Sequence, residues 1–381
     1  MKQRKILVVL VTMLVFTSCQ KEKQELSGTG ELVSSDKKPV LSNTTGYAYT
    51  LSNQVAGNSV LVYARSASGH LTPSGSYSTG GTGTGTGLGN QGAIILSDDY
   101  SWLLAVNPGS NTIASLHVSG GSLELKSTAP SGGITPISIT RYGSWVYVLN
   151  AGGSGNISGF TLGADGVLTP LAGSTRPLSS GAAGPAQISF INDGSAVIVT
   201  EKMTNKIISY TINAMGLPGA MHSVNSANPT PFGCAVGSYG IIYVSEAAGG
   251  APSASSVSSY QVNSSGEISL VDGPVLPGQT AACWVVLTNN EKYVYSTNTG
   301  SNNISSFCTD GAGGLDVLQA AAAPSNTLPI DAALSNNSKF LYVLNSGTDV
   351  ITIFSVGSDG SLSPLQTVTG LPDGATGMAA K

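Results

Sequence analysis

One phrase returns seven times along this chain and limits its fold more than any other feature. A glycine opening a short polar strand stands at Gly69-His-Leu-Thr-Pro, Gly121-Ser-Leu-Glu-Leu, Gly166-Val-Leu-Thr-Pro, Gly216-Leu-Pro, Gly266-Glu-Ile-Ser-Leu, Gly314-Leu-Asp-Val-Leu and Gly360-Ser-Leu-Ser-Pro, a period of about 48 residues. Between these lie apolar strands that end in a polar residue: Leu103–Asn107, Val146–Asn150, Val197–Glu201, Ile242–Glu246, Val294–Asn298 and Leu341–Asn345, with Ala48–Ser52 a degenerate seventh. A further strand follows each, as in Asn156–Phe160 and Lys206–Tyr210, and another precedes each, as in Pro136-Ile-Ser-Ile and Ala186-Gln-Ile-Ser-Phe. Four short strands per repeat, called A to D here, make a β-propeller blade. The fold class is therefore all-β: a seven-bladed propeller with four antiparallel strands per blade, occupying residues 45–381.

The phase of the repeat predicts how the ring closes. The body opens on a B strand at Tyr47 and ends on an A strand at Met378, so the last strand completes the sheet begun by the first three. Composition agrees with this reading. Only 9% of the 381 residues are charged and 49 are glycine, which favours turns over helices, while 41% are apolar and can build a core.

The amino terminus reads as an address. Met1–Lys5 is basic, Ile6–Thr17 is apolar but too short to span about 30 Å of hydrocarbon, and Cys19 follows Ser18 in a run resembling a bacterial lipobox. The expectation is a signal peptide over 1–18, a lipidated flexible tether over 19–44 beginning at Cys19, and export to the bacterial cell envelope. There the lipid is the membrane contact. Seven of the 16 basic residues lie in the first 40, leaving an acidic body without the cationic footprint that nucleic acid requires. A monomer is expected.

In a four-stranded blade the end of B and the start of the next A share one mouth of the ring. That mouth collects Asn107, Asn150, Glu201, Lys202, Glu246, Asn298 and Asn345, with Gln91, Gln187 and Asp331 from A-strand starts and Arg176 from a long D-to-A loop. His70, His117 and His222 fall near the opposite mouth, which disfavours a Ser–His or Cys–His nucleophile at the polar one. A row of Asn also suits turns, so the row has a purely structural reading. Cys234, Cys283 and Cys308 lack ligand spacing and read as small buried residues, with one disulfide pair open; no metal or cofactor is expected. The tract Gly80–Gly89 lacks the Lys-Ser/Thr of a phosphate loop and reads as a flexible D-to-A loop. Trp284, on an inner strand, reads as core.

The phrases Tyr147-Val-Leu-Asn150, Gly155–Phe160, Leu168-Thr-Pro170 and Gly184-Pro-Ala-Gln187 resemble the lactonase family of seven-bladed propellers, which includes propeller-type 6-phosphogluconolactonase and the fungal carboxymuconate-lactonizing enzyme. The resemblance covers about residues 45–380. It implies hydrolysis of a sugar-acid or related lactone at the mouth, with Glu201 as general base, Arg176 holding the substrate's carboxylate or phosphate, and Lys202 or Gln187 polarising the carbonyl. Glu246, Asn107, Asn150, Asn298, Asn345, Gln91 and Asp331 would complete the substrate wall. The family's Pro-His-x-His segment is Pro185-Ala-Gln187 here, without either histidine. The alternative is a non-catalytic, surface-tethered propeller that binds a glycan or protein partner at the same mouth.

Overall fold

The computed structural model of the protein describes residues 44–191 and 193–381. The signal segment, Cys19 and nearly all of the tether lie outside the described residues. The described chain forms seven antiparallel sheets in sequence order, with the inner strands touching one another in a closed circle.

Closure follows the phase of the repeat. Blade 1 takes its outer three strands from Thr44–Leu51, Ser59–Ser66 and Leu71–Ser78, and its inner strand from Thr376–Ala380. Ala48 pairs with Ala380 and Tyr49 with Ala379. Arg65, only 3% exposed, fastens this seam by donating from Nε and Nη2 to the Lys381 carbonyl at 3.3 and 3.2 Å.

The B strands, such as Val146–Leu149 within Trp145–Asn150, are apolar and buried on both faces because each blade is sandwiched between two others. The D strands alternate instead, with one face towards water, as in Leu71–Ser78. Blade 3 departs from the pattern. Its D strand is split into Leu168–Pro170 and Arg176–Pro177, both paired with Asn156–Leu162. Arg176 therefore sits on the outermost strand of that blade and not in a loop reaching over the mouth.

The recurring glycine is the joint between blades. Every C–D turn has a positive-φ glycine near the start of its D strand: Gly69, Gly120, Gly166, Gly216, Gly266, Gly313 and Gly360. In blades 2 and 6 this is one residue earlier than the phrase suggests. At Gly216 (φ 75°) the Trp145 ring of the preceding blade lies where a Cβ would be, and Tyr147 Oη donates to the Gly216 carbonyl at 2.6 Å. The same seating repeats for Trp102 on Gly166, Tyr293 on Gly360 and, across the closed ring, Phe340 on Gly69.

This arrangement sets the outcome of a substitution. Gly216→Ala adds steric overlap to an unfavourable φ and should lower stability by about 2 kcal/mol or more. Gly57→Ala, where nothing lies within 4 Å, should stay within about 0.5 kcal/mol of the parent. Urea midpoints of the two variants read the difference; equal midpoints would contradict the joint.

Candidate functional site

The polar residues that close the B strands do not line the mouth. Asn107, Asn150, Glu201, Glu246, Asn298 and Asn345 are all completely buried. Each ties its own B–C turn, the following C strand or the preceding D-to-A loop. Glu246 accepts hydrogen bonds from Ser226 Oγ at 2.7 Å, the Asn228 amide at 3.2 Å, Ser256 Oγ at 2.6 Å, Ser258 Oγ at 2.7 Å and Tyr260 Oη at 2.9 Å. Glu201 accepts from the Ser179 amide at 2.9 Å, from Ser179 Oγ, and from Thr204 Oγ1 at 2.6 Å. Asn345 accepts from Ser325 Oγ at 2.6 Å and donates to Thr352 Oγ1 at 3.0 Å. Asn107 accepts from Thr79 Oγ1 at 2.6 Å, Asn150 donates to the Ser131 carbonyl at 3.2 Å, and Asn298 donates to Ser305 Oγ at 2.8 Å. A buried carboxylate with this many donors is fully compensated, which is the condition for burying it.

The candidates at the A-strand starts also serve the ring. Gln187 of blade 4 donates to the Cys234 carbonyl at 3.0 Å and accepts from the Cys234 amide at 2.6 Å, clasping blade 5. Asp331 is buried and bonds the Ala332 amide at 2.8 Å; burial raises its carboxyl well above the ordinary range. Gln91 reaches farther. Its side chain spans from blade 2 to blade 6, donating to the Val285 carbonyl at 2.9 Å and accepting from the Val285 amide at 3.2 Å.

Arg176 and Glu201 are not joined. The Arg176 guanidinium donates to four carbonyls, those of Gly173, Thr175, Pro218 and Gly219, and so staples the outer edges of blades 3 and 4. Lys126 and Glu124 form an ion pair on the surface.

The glycine tract that reads as a flexible loop is instead a pinned roof. Asn53, fully buried, donates from Nδ2 to the Thr86 carbonyl at 2.8 Å and the Gly374 carbonyl at 3.0 Å, and accepts from the Thr84 amide at 3.0 Å. The Gly83 and Gly85 amides donate to the Gln54 and Asn53 carbonyls at 2.8 Å each. Leu88 packs into the inner apolar clusters, and Trp284 Nε1 donates to the Asn90 carbonyl at 2.6 Å. Gly85–Gly89, Trp284, Ile330, Ser346, Gly374 and Thr376 enclose a chamber of about 400 Å³ at the B-end mouth. That volume suits a small ligand. Below Gln91 a separate space of about 300 Å³, lined by Cys234, Val236, Val285, Leu287 and Leu334, opens towards the other mouth.

Lys202 abuts the upper chamber at Gly89 without being one of its lining residues. Its Nζ donates to the Gly89 carbonyl and lies 4.7 Å from the centre of the Phe232 ring, which in turn packs against Trp284 at 4.8 Å. Burial lowers its pKa to about 8. Cys283 adjoins this cluster, but burial pushes its thiol up to about 11, so it is not a thiolate at neutral pH. Cys234, Cys283 and Cys308 are all buried. Of the residues singled out in the sequence, Lys202 alone carries a strongly perturbed charge beside a cavity. The roof and the Phe232–Trp284 pair were missed, because their pairing partners lie far apart in sequence.

Known proteins place this architecture. The family model described as lactonase, 7-bladed beta-propeller, matches residues 39–176. No curated protein matches the chain. Among solved structures, a Bacteroides fragilis protein assigned provisionally as a 6-phosphogluconolactonase is 18% identical, with a TM-score of 0.70 over 90% of this chain and 100% of that one. The periplasmic gluconolactonase of Pseudomonas aeruginosa is 17% identical, with a TM-score of 0.69 over 87% of this chain and 99% of that one. A Lactobacillus plantarum protein is 17% identical, with a TM-score of 0.72 over 89% and 99%. The described body thus has the seven-bladed propeller fold of these proteins, and its residues 39–176 carry the sequence pattern of the lactonase propeller family.

Proposed function

We propose that this protein binds a small anionic, carbohydrate-like molecule of the sugar-acid or lactone class in the B-end chamber, with Lys202 supplying the charge contact. One observation carries the reading: Lys202 is a desolvated ammonium beside a cavity, and no described carboxylate pairs with it. Such a cation is costly to bury alone and gains most from a ligand that brings the missing negative charge. The aromatic wall of Trp284 and the carbonyl- and amide-rich glycine roof suit the apolar ring face and the hydroxyls of such a molecule.

Turnover is a second reading, supported by the family match and by the amine itself. Near pH 8 about half of Lys202 is neutral and able to take a proton from water attacking the lactone carbonyl. The tetrahedral intermediate then collapses by breaking the ring C–O bond, and the departing alkoxide recovers the proton from the ammonium. In this scheme Glu201 and Glu246 are struts rather than bases, because their oxygens are already occupied.

Calorimetric titration with 6-phosphogluconate, alongside opening of aldonolactones and muconolactones, tests both readings. Lys202→Met should weaken binding by about 10- to 100-fold. In the parent protein, affinity should fall as pH rises through about 8, where the ammonium is lost. Stability should move the other way: unfolding restores the ordinary 10.5, so the unfolded chain binds more protons between 8 and 10.5 and this group adds stability as pH rises there. Unchanged binding in Lys202→Met overturns the site.

Glu201→Gln should keep ligand affinity within about twofold while lowering stability by about 1–3 kcal/mol, since donors aimed at a carboxylate then meet an amide. A variant of parental stability that has lost binding or turnover would return Glu201 to the reacting centre.

A further inference from the structure

We propose that the protein carries a second site, for a neutral saccharide, in the cleft between blades 6 and 7 at the mouth opposite Lys202. The cleft has a volume of about 390 Å³ and is bordered by Asn290, Tyr293, Asn337, Ser338, Lys339 and Phe340 among others. It shares no residue with either channel space.

Two amides give the cleft its chemistry. In blade 6, Asn290 Oδ1 accepts from Thr288 Oγ1 at 2.7 Å and from the Lys292 amide at 3.1 Å. In blade 7, Asn337 Oδ1 accepts from Ser335 Oγ at 2.8 Å and from the Lys339 amide at 3.1 Å. Both turns thus use the amide oxygen and leave the Nδ2 group, with two N–H donors, bordering the cleft. The equivalent turn of blade 2 has Asp99, whose Oδ1 takes the same two partners, Ser97 Oγ at 2.6 Å and the Ser101 amide at 3.1 Å. The turn therefore needs only the oxygen. The Asn290 and Asn337 side chains exceed what folding asks of them, and they do so on both sides of one cleft. Tyr293, whose ring is seated on Gly360, borders the cleft from blade 6, while the Phe340 ring turns to Gly69 of blade 1. Paired neutral donors beside the Tyr293 ring match the hydroxyl oxygens and the C–H face of a pyranose.

The test uses the double variant Asn290→Asp and Asn337→Asp, which keeps both turn acceptors and removes the donors. Saturation-transfer NMR on the full chain, with a panel of methyl glycopyranosides and disaccharides at about 10 mM, reads weak binding of this kind. We expect signal from at least one saccharide and a loss of about tenfold or more in affinity in the double variant, with the parental urea midpoint. Lys202→Met should leave this binding intact, which separates the cleft from the channel site. No saccharide signal in the parent, equal affinity in the double variant, or loss in Lys202→Met alone would each overturn the proposal.

Discussion

The chain depends on one strand pairing made across its whole length. Thr376–Ala380 lies against Thr44–Leu51, and this contact turns a row of seven sheets into a ring without a free inner edge. Everything that positions the mouth follows from that circle. Inner strands are brought side by side, so Gln187 can clasp the next blade and Gln91 can span to the far wall. Buried Arg65 at the seam shows how much polar bonding is committed to it.

Within that circle, glycine and polar side chains divide the structural work. Positive-φ glycines let the aromatic rings of one blade sit on the turns of the next. The B-end Asn and Glu residues hold turns and loops from inside each blade, so blades with long or irregular loops remain ordered. Glu246 with five donors is the fullest case, and it occupies the same place that Asn298 and Asn345 fill in blades 6 and 7. The exchange of Asn for Glu at Glu201 and Glu246 thus reflects how many donors the local loop presents.

The repeat made the fold legible, including blade number and the pairing of the two ends, because strand period and turn glycines are local signals that recur. The identity of the B-end row was legible for the same reason, but its burial was not. A polar residue after an apolar strand reads alike whether it faces a channel or tucks beneath a loop. Arg176 was misplaced because Leu168-Thr-Pro170 reads as a finished strand, whereas the chain resumes pairing at Arg176–Pro177. The path of Gly80–Gly89 depends on Asn53, Gly374 and Trp284, partners set by closure and absent from any local pattern.

In the proposed reading Lys202 is the charged group that meets the ligand, beside a roof that the ring itself holds in place. A crystal structure of the protein soaked with 6-phosphogluconate tests this most directly. The account predicts an anionic group within hydrogen-bond distance of Lys202 Nζ, against Trp284 and the Gly85–Gly89 roof. A ligand seated instead on Arg176, with the Glu201 carboxylate released from Ser179 and Thr204 to face it, would contradict it.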